Sequence, residues 1–182
     1  MEEFKTIRNN SISEIIEKKS KFVGYAFYVE NTSEAEEYIN KIKKEHYDAR
    51  HHIFAYSIRS VDGMNVTRFS DDGEPSGTAG APVLKIIEEK RLENILIIVV
   101  RYFGGILLGT GGLVRAYSEA AQECLKNTEI TEKCLGYEVQ LQIEYGELEK
   151  LKYYTNKQNI KITNIQYFRQ HRINIGNIKK RI

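Results

Sequence analysis

The residues most able to do chemistry lie in Arg101-Tyr102-Phe103-Gly104-Gly105-Ile106-Leu107-Leu108-Gly109-Thr110-Gly111-Gly112, directly after the apolar run Ile95 to Val100. Five of the 13 glycines fall in this stretch, and nine of them between Gly63 and Gly112. A glycine-rich junction ahead of a helix lets backbone N–H groups and the positive helix end approach an anion, because no Cβ stands in the way. Phosphate is the natural guest, and Arg101 and Arg115 bracket the loop as guanidinium partners. Gly104, Gly105, Gly109, Gly111 and Gly112 are therefore candidate binding positions for a phosphate-bearing ligand. The competing reading gives them tight turns and close helix packing instead. Standard nucleotide motifs are absent: Thr110-Gly111 stands where a P-loop needs Lys-Ser/Thr, and Val114 replaces the third glycine of GxGxxG.

A second cluster, Asp71-Asp72-Gly73-Glu74-Pro75, puts three carboxylates within four residues. Asp71, Asp72 and Glu74 could serve as acid and base on a small phosphorylated or carboxylated metabolite. The alternative is a structural loop in which Asp71 or Asp72 caps a turn or pairs with an arginine. No EF-hand spacing is present, so no metal is expected. His51 and His52 are strand neighbours and must point to opposite faces, so at most one can join a site shared with the loops. Cys124 and Cys134 have no CxxC spacing and read as structural thiols. No cofactor is implied.

Positioning these groups requires a particular order of elements. Ser11 to Glu30 alternates as two strands, and Asn31 to Glu36 caps an amphipathic helix running to His46. His52 to Arg59 and Asn65 to Phe69 form a hairpin around Asp62-Gly63. The polar loop from Ser70 to Thr78 enters a helix from Ala79 to Lys90, with Pro82 in its first turn. Asn94 to Val100 is apolar enough to be buried on both faces, and a helix from Leu113 to Lys126 follows the glycines. The pattern then restarts with a strand from Lys133 to Glu144, a helix from Gly146 to Thr155, and one or two strands between Asn159 and Ile175. A boundary near residue 135 divides the chain into domains 1–135 and 136–182.

Composition closes off several classes. The 182 residues fit one or two domains at roughly 150 residues each. The six-residue apolar run is far short of the roughly 20 residues that cross a bilayer, so no membrane partner is expected. The start Met-Glu-Glu-Phe-Lys lacks the basic and apolar regions of a signal peptide, which makes the expected address cytoplasmic. The net charge of +2 conceals a basic tail: Lys161, Arg169, Arg172, Lys179, Lys180 and Arg181 face no acid beyond residue 159. Tyr153, Tyr154, Tyr167, Phe168 and His171 are interleaved with it, a mixture suited to RNA and equally to strand cores.

Two long motifs carry a family resemblance. Arg68-Phe69-Ser70-Asp71-Asp72-Gly73-Glu74-Pro75-Ser76-Gly77-Thr78-Ala79-Gly80-Ala81-Pro82 and Val100 to Tyr117, with Ser20-Lys21-Phe22 and His52-Ile53-Phe54-Ala55-Tyr56, resemble the IMPACT family and its bacterial YigZ branch over about residues 15 to 130. The resemblance implies an α+β fold. Its N-terminal domain would be similar to the second domain of a small-subunit ribosomal protein. Its C-terminal domain would be ferredoxin-like, here a shortened βαβ(β) form. It also implies a translation-associated regulatory or nucleic-acid-binding role without defined catalysis, with RNA or a ribosome-associated protein as partner. His52 and Thr78 lie in the matching motifs and join Arg101, Arg115 and the glycines as the expected binding face.

Overall fold

Side-chain alternation along one central strand separates the two faces of the larger unit. The computed structural model describes residues 3–60, 64–134, 139, 141–158, 160–168 and 172–180. The Asp62-Gly63 turn, the expected boundary at residue 135, and Arg169, His171 and Arg181 of the tail lie outside them. In chain order the elements are β1 (Glu3–Ile7), β2 (Ser11–Glu17), β3 (Ser20–Tyr28), α1 (Thr32–Glu45), β4 (His51–Arg59), β5 (Asn65–Ser70), α2 (Gly80–Glu89), β6 (Ile95–Tyr102), α3 (Thr110–Lys126), β7 (Ile130–Cys134), β8 (Leu141–Glu144), α4 (Leu148–Lys157), β9 (Ile160–Phe168) and β10 (Arg172–Lys180). A single 3-10 turn, Tyr145–Glu147, leads into α4. The chain divides into two compact units, residues 4–132 and residues 133–182 with 1–3.

The larger unit is built on an antiparallel five-stranded sheet in the order β2-β3-β6-β4-β5. Strand β6 is central and apolar on both sides. Leu96, Ile98 and Val100 pack with Ala35, Ile39 and Ile42 of α1. Ile95, Ile97 and Val99 pack on the other face with Val83 and Ile87 of α2 and with Leu113, Ala116, Tyr117 and Ala120 of α3. The result is a three-layer arrangement of helix, sheet and two helices. The Asn31 side chain accepts the Glu34 N–H at 2.9 Å and caps α1, as its sequence predicts.

The sequence-based elements need three adjustments. Helix α3 starts at Thr110, three residues earlier than expected from Leu113, with Gly109 as N-cap at φ 72. Glycine is cheap in a first turn whose N–H groups have no intrahelical partners, so Gly111 and Gly112 do not delay the helix. Strand β1 was not anticipated, because five residues carry little periodic signal and its partner β7 lies more than a hundred residues away. The expected strand from Lys133 to Glu144 is two strands, β7 ending at Cys134 and β8 beginning at Leu141.

The smaller unit is an antiparallel sheet in the order β8-β10-β9 with α4 beside it. Its core is Leu148 with Leu151, Ile143, Ile162 and Ile165.

Candidate functional site

Register creates the site. On the α2/α3 side of the sheet, Phe22 of β3 sits opposite Arg101 of β6, and His51 of β4 sits opposite Arg101 on its other flank. A row of ring, guanidinium and imidazole therefore crosses three strands at the end of the sheet where the glycine loop and the acidic loop emerge. Above it is a cavity of about 340 Å³, lined by Arg50, His51, Gly73, Glu74, Pro75, Arg101, Phe103, Leu107, Leu108, Gly109, Thr110 and Leu113. It lies wholly within the larger unit.

The acidic loop delivers one carboxylate to this cavity and spends the other two on its own shape. Asp71 accepts the N–H groups of Gly77 at 2.8 Å, Ala79 at 3.1 Å and Gly80 at 2.8 Å, holding the entry to α2. Asp72 and Gly73 both adopt left-handed conformations, φ 42 and 86, which turn the chain back toward β4. In that turn the Asp72 carboxylate accepts the His52 N–H at 2.7 Å and its carbonyl accepts the His51 Nδ1–H at 2.8 Å. Glu74 then enters the cavity wall with its side chain 4% exposed. Its Oε1 accepts from Arg101 Nη1 at 2.6 Å and from the Tyr117 hydroxyl at 2.7 Å. Burial, followed by the Glu74 contact, raises the Tyr117 pKa well above the ordinary phenol value. Its hydroxyl therefore stays a donor.

His51 completes the cluster. Nδ1 donates to the Asp72 backbone carbonyl, which leaves Nε2 3.8 Å from Glu74 Oε1. Arg101 is 5% exposed, and besides Glu74 it reaches Ser20 Oγ at 3.4 Å. Its Nε–H has no acceptor among the described residues. The guanidinium carbons of Arg101 and Arg50 lie 5.6 and 5.7 Å from the centroid of the Phe103 ring, two cation–π contacts. Arg50 has no carboxylate partner among the described residues. Two cations against one carboxylate, beside the unpaired N–H groups of α3, make the cavity electropositive.

The predicted binding residues separate here. Arg101, Gly109 and Glu74 line the cavity. Arg115 is exposed on α3 and lines no part of it. His52 faces α1, with Nε2 against the His46 carbonyl at 2.8 Å. Thr78 is buried and spends its hydroxyl on the Pro75 carbonyl at 2.6 Å. Gly104 is a packing glycine: a Cβ there would stand 2.0 Å from the Lys19 carbonyl carbon and oxygen. Gly105 at φ 84 turns the loop, and Gly112 lies against Leu108. At Gly109 and Gly111 an added Cβ meets nothing within 4 Å, so the helix entrance is open.

Sequence reasoning passed over Arg50, Phe103 and Tyr117, and it placed His52 and not His51 on the expected face. The two-histidine argument allowed only one into the site, and the cross-strand register with Arg101 selects His51. Among the described residues no cluster of His, Cys, Asp or Glu could hold a metal, and no helix is long and apolar enough to cross a membrane.

Fold and site together define a mixed α/β protein, with four helices among the described residues and a charged cavity walled by a glycine loop. A family model described as the Impact N-terminal domain matches residues 18–125. The chain belongs to the IMPACT family. It is 37% identical over 162 residues to IMPACT family member YvyE of Bacillus subtilis, covering 89% of this chain and 74% of that one. It is 38% identical over 150 residues to IMPACT family member YigZ of Escherichia coli, covering 82% and 74%. A solved structure titled as the crystal structure of a hypothetical protein superimposes with a TM-score of 0.72 at 33% identity, over 98% of this chain and 86% of that one.

Proposed function

We propose that the protein is a translation-associated regulatory module of the IMPACT type that contacts RNA through the face around this cavity, with no catalytic step of its own. The role in translation comes from what the family resemblance implies. The observation that carries the RNA contact is the charge of the cavity: Arg50 and Arg101 against Glu74 alone, at the uncapped start of α3. Phosphate meets Arg50 and the α3 N–H groups, while Arg101 acts as a fixed positive floor because Glu74 already holds it. Arg115, exposed one helical turn further along, meets a neighbouring phosphate. A ribosome-associated protein is the partner of the alternative reading.

The finer fold assignments belong to the same proposal. Domain 1–135 is similar to the second domain of a small-subunit ribosomal protein. Domain 136–182 is a shortened ferredoxin-like unit, a reading supported by the β8-α4-β9-β10 order. An enzyme using Asp71 and Asp72 loses support, because those carboxylates are occupied by backbone N–H groups.

The test is retention on single-stranded RNA and on ribosomes across a salt series. Log affinity should fall linearly with log salt, with a slope near −0.7 per phosphate engaged on a single strand. Arg50→Ala and Arg115→Ala should each flatten that slope. Binding that ignores salt, or that both variants leave unchanged, overturns the proposal.

A further inference from the structure

We infer that the cavity at the start of α3 is a nucleotide site, taking one phosphate monoester together with its sugar and base. The inference rests on the RNA-contact reading above and sharpens it from a strand in general to a phosphorylated end. Volume sets the scale: about 340 Å³ is at the low end of small-molecule sites, enough for one nucleotide and not for a run of strand.

Charge selects the phosphate. A monoester carries close to two negative charges at neutral pH, more than the single charge of a backbone diester. The cavity meets it with Arg50, which has no carboxylate partner among the described residues, and with Arg101. Arg101 is 5% exposed, with Nη1 held by Glu74 and its Nε fully buried, so it contributes positive charge to the cavity floor. Glu74 cancels only one of the two cations. The first turn of α3 adds donors that no side chain caps, with open space at Gly109 and Gly111.

Two features extend the site beyond the phosphate group itself. In the neutral ring His51 presents Nε2 as an acceptor, because its Nδ1–H is committed to the Asp72 carbonyl. The ionised oxygens of a phosphate monoester only accept, whereas a ribose hydroxyl can donate to it. Phe103 is 41% exposed and Leu107 is 81% exposed at the cavity mouth, an apolar wall against which a base can stack.

The experiment measures binding of the full chain to short single-stranded RNAs ending in a 5′-phosphate, in a 3′-phosphate or only in hydroxyls. Nucleoside monophosphates and inorganic phosphate serve as competitors. A phosphorylated end should bind about tenfold or more tighter than hydroxyl ends, through its extra charge-assisted hydrogen bonds. Nucleoside monophosphates should displace it better than inorganic phosphate does. Thr110→Asp places a carboxylate in the first turn of α3, where it favours the helix and repels a phosphate. This variant should keep or raise the melting temperature while erasing the end preference, and Phe103→Ala should erase the advantage of nucleotide over phosphate.

Salt-sensitive RNA binding with no end preference and no displacement by nucleotides overturns the nucleotide site and leaves the RNA contact standing. Nucleotide binding that Thr110→Asp abolishes, without any strand binding, supports the site with a free nucleotide as its source and overturns the RNA contact. An end preference that survives Thr110→Asp overturns the site, and no binding of any kind overturns both.

Discussion

Glu74→Gln is expected to be the most damaging conservative substitution in the larger unit. The native carboxylate is 4% exposed and its partner Arg101 is 6% exposed, so neither charge is solvated when the pair is broken. Removing one member of a buried ion pair costs about 3–5 kcal/mol, chiefly because the remaining charge is left uncompensated. The Tyr117 hydroxyl can still donate to the Gln carbonyl oxygen, so its hydrogen bond adds little to the loss. Against a native stability of roughly 5–15 kcal/mol, a loss near 4 kcal/mol is a large fraction of the whole. With a urea slope of about 2 kcal/mol per molar, the midpoint should fall by about 2 M. Urea titration followed by far-UV circular dichroism reads this directly. The companion variant Glu74→Leu with Arg101→Met removes both charges and should recover at least half of the loss, because apolar replacements of similar volume pay no desolvation. A midpoint shift below about 0.5 M for Glu74→Gln would refute the account of a desolvated pair. So would a double variant no more stable than the single one.

Two glycines of the same stretch should behave in opposite ways. Gly104→Ala drives a Cβ to 2.0 Å from the Lys19 backbone and should cost several kcal/mol or prevent folding. Gly111→Ala meets nothing within 4 Å in the first turn of α3 and should raise stability by about 0.4 kcal/mol, chiefly by restricting the unfolded chain. Paired thermal melts compare them. His46 should give stability a pH dependence. Burial holds its pKa below the ordinary 6.5, so the unfolded chain binds the proton more readily. Its contribution is then complete above about pH 6.5 and is lost as pH falls through the window beneath that value. His46→Gln should flatten that slope in urea titrations between about pH 7.5 and pH 5; parallel wild-type and variant curves would contradict it.

Much of this architecture was legible in the chain. Asn31 announced α1, the apolar run of β6 announced a strand covered on both sides, and the IMPACT motifs announced the family. The acidic loop was legible in part: Asp71 or Asp72 was expected to cap a turn or pair with an arginine, and Asp71 does hold the α2 entrance, but the carboxylate that takes Arg101 is Glu74. The identity of the cavity histidine was not. A strand apolar on both faces carries no parity signal, so nothing local tells whether Arg101 or Tyr102 turns toward the glycine loop. That choice is made by pairing with β3 and β4, which are remote in sequence. Arg50 and Phe103 escaped notice for a related reason, since an exposed arginine and an exposed ring mean little until register brings them within 5.7 Å. Arg115 is close in sequence to the loop, but the helical repeat leaves it exposed on α3 and outside the cavity lining, so any phosphate it meets is a neighbouring one.

The alternation that puts Arg101 and His51 in the cavity also puts Tyr102 and His52 behind it. There His46 bridges the Tyr25 hydroxyl at 2.6 Å and the Tyr102 hydroxyl at 2.7 Å. The same strand ends thus carry two polar assemblies back to back, one residue out of phase. Substitutions at even positions of β4 and β6 address one assembly and substitutions at odd positions the other, so each can be redesigned while the other is left alone. A single-residue insertion in β6 would exchange the faces of the residues beyond it, which makes spacing here less tolerant of change than residue identity.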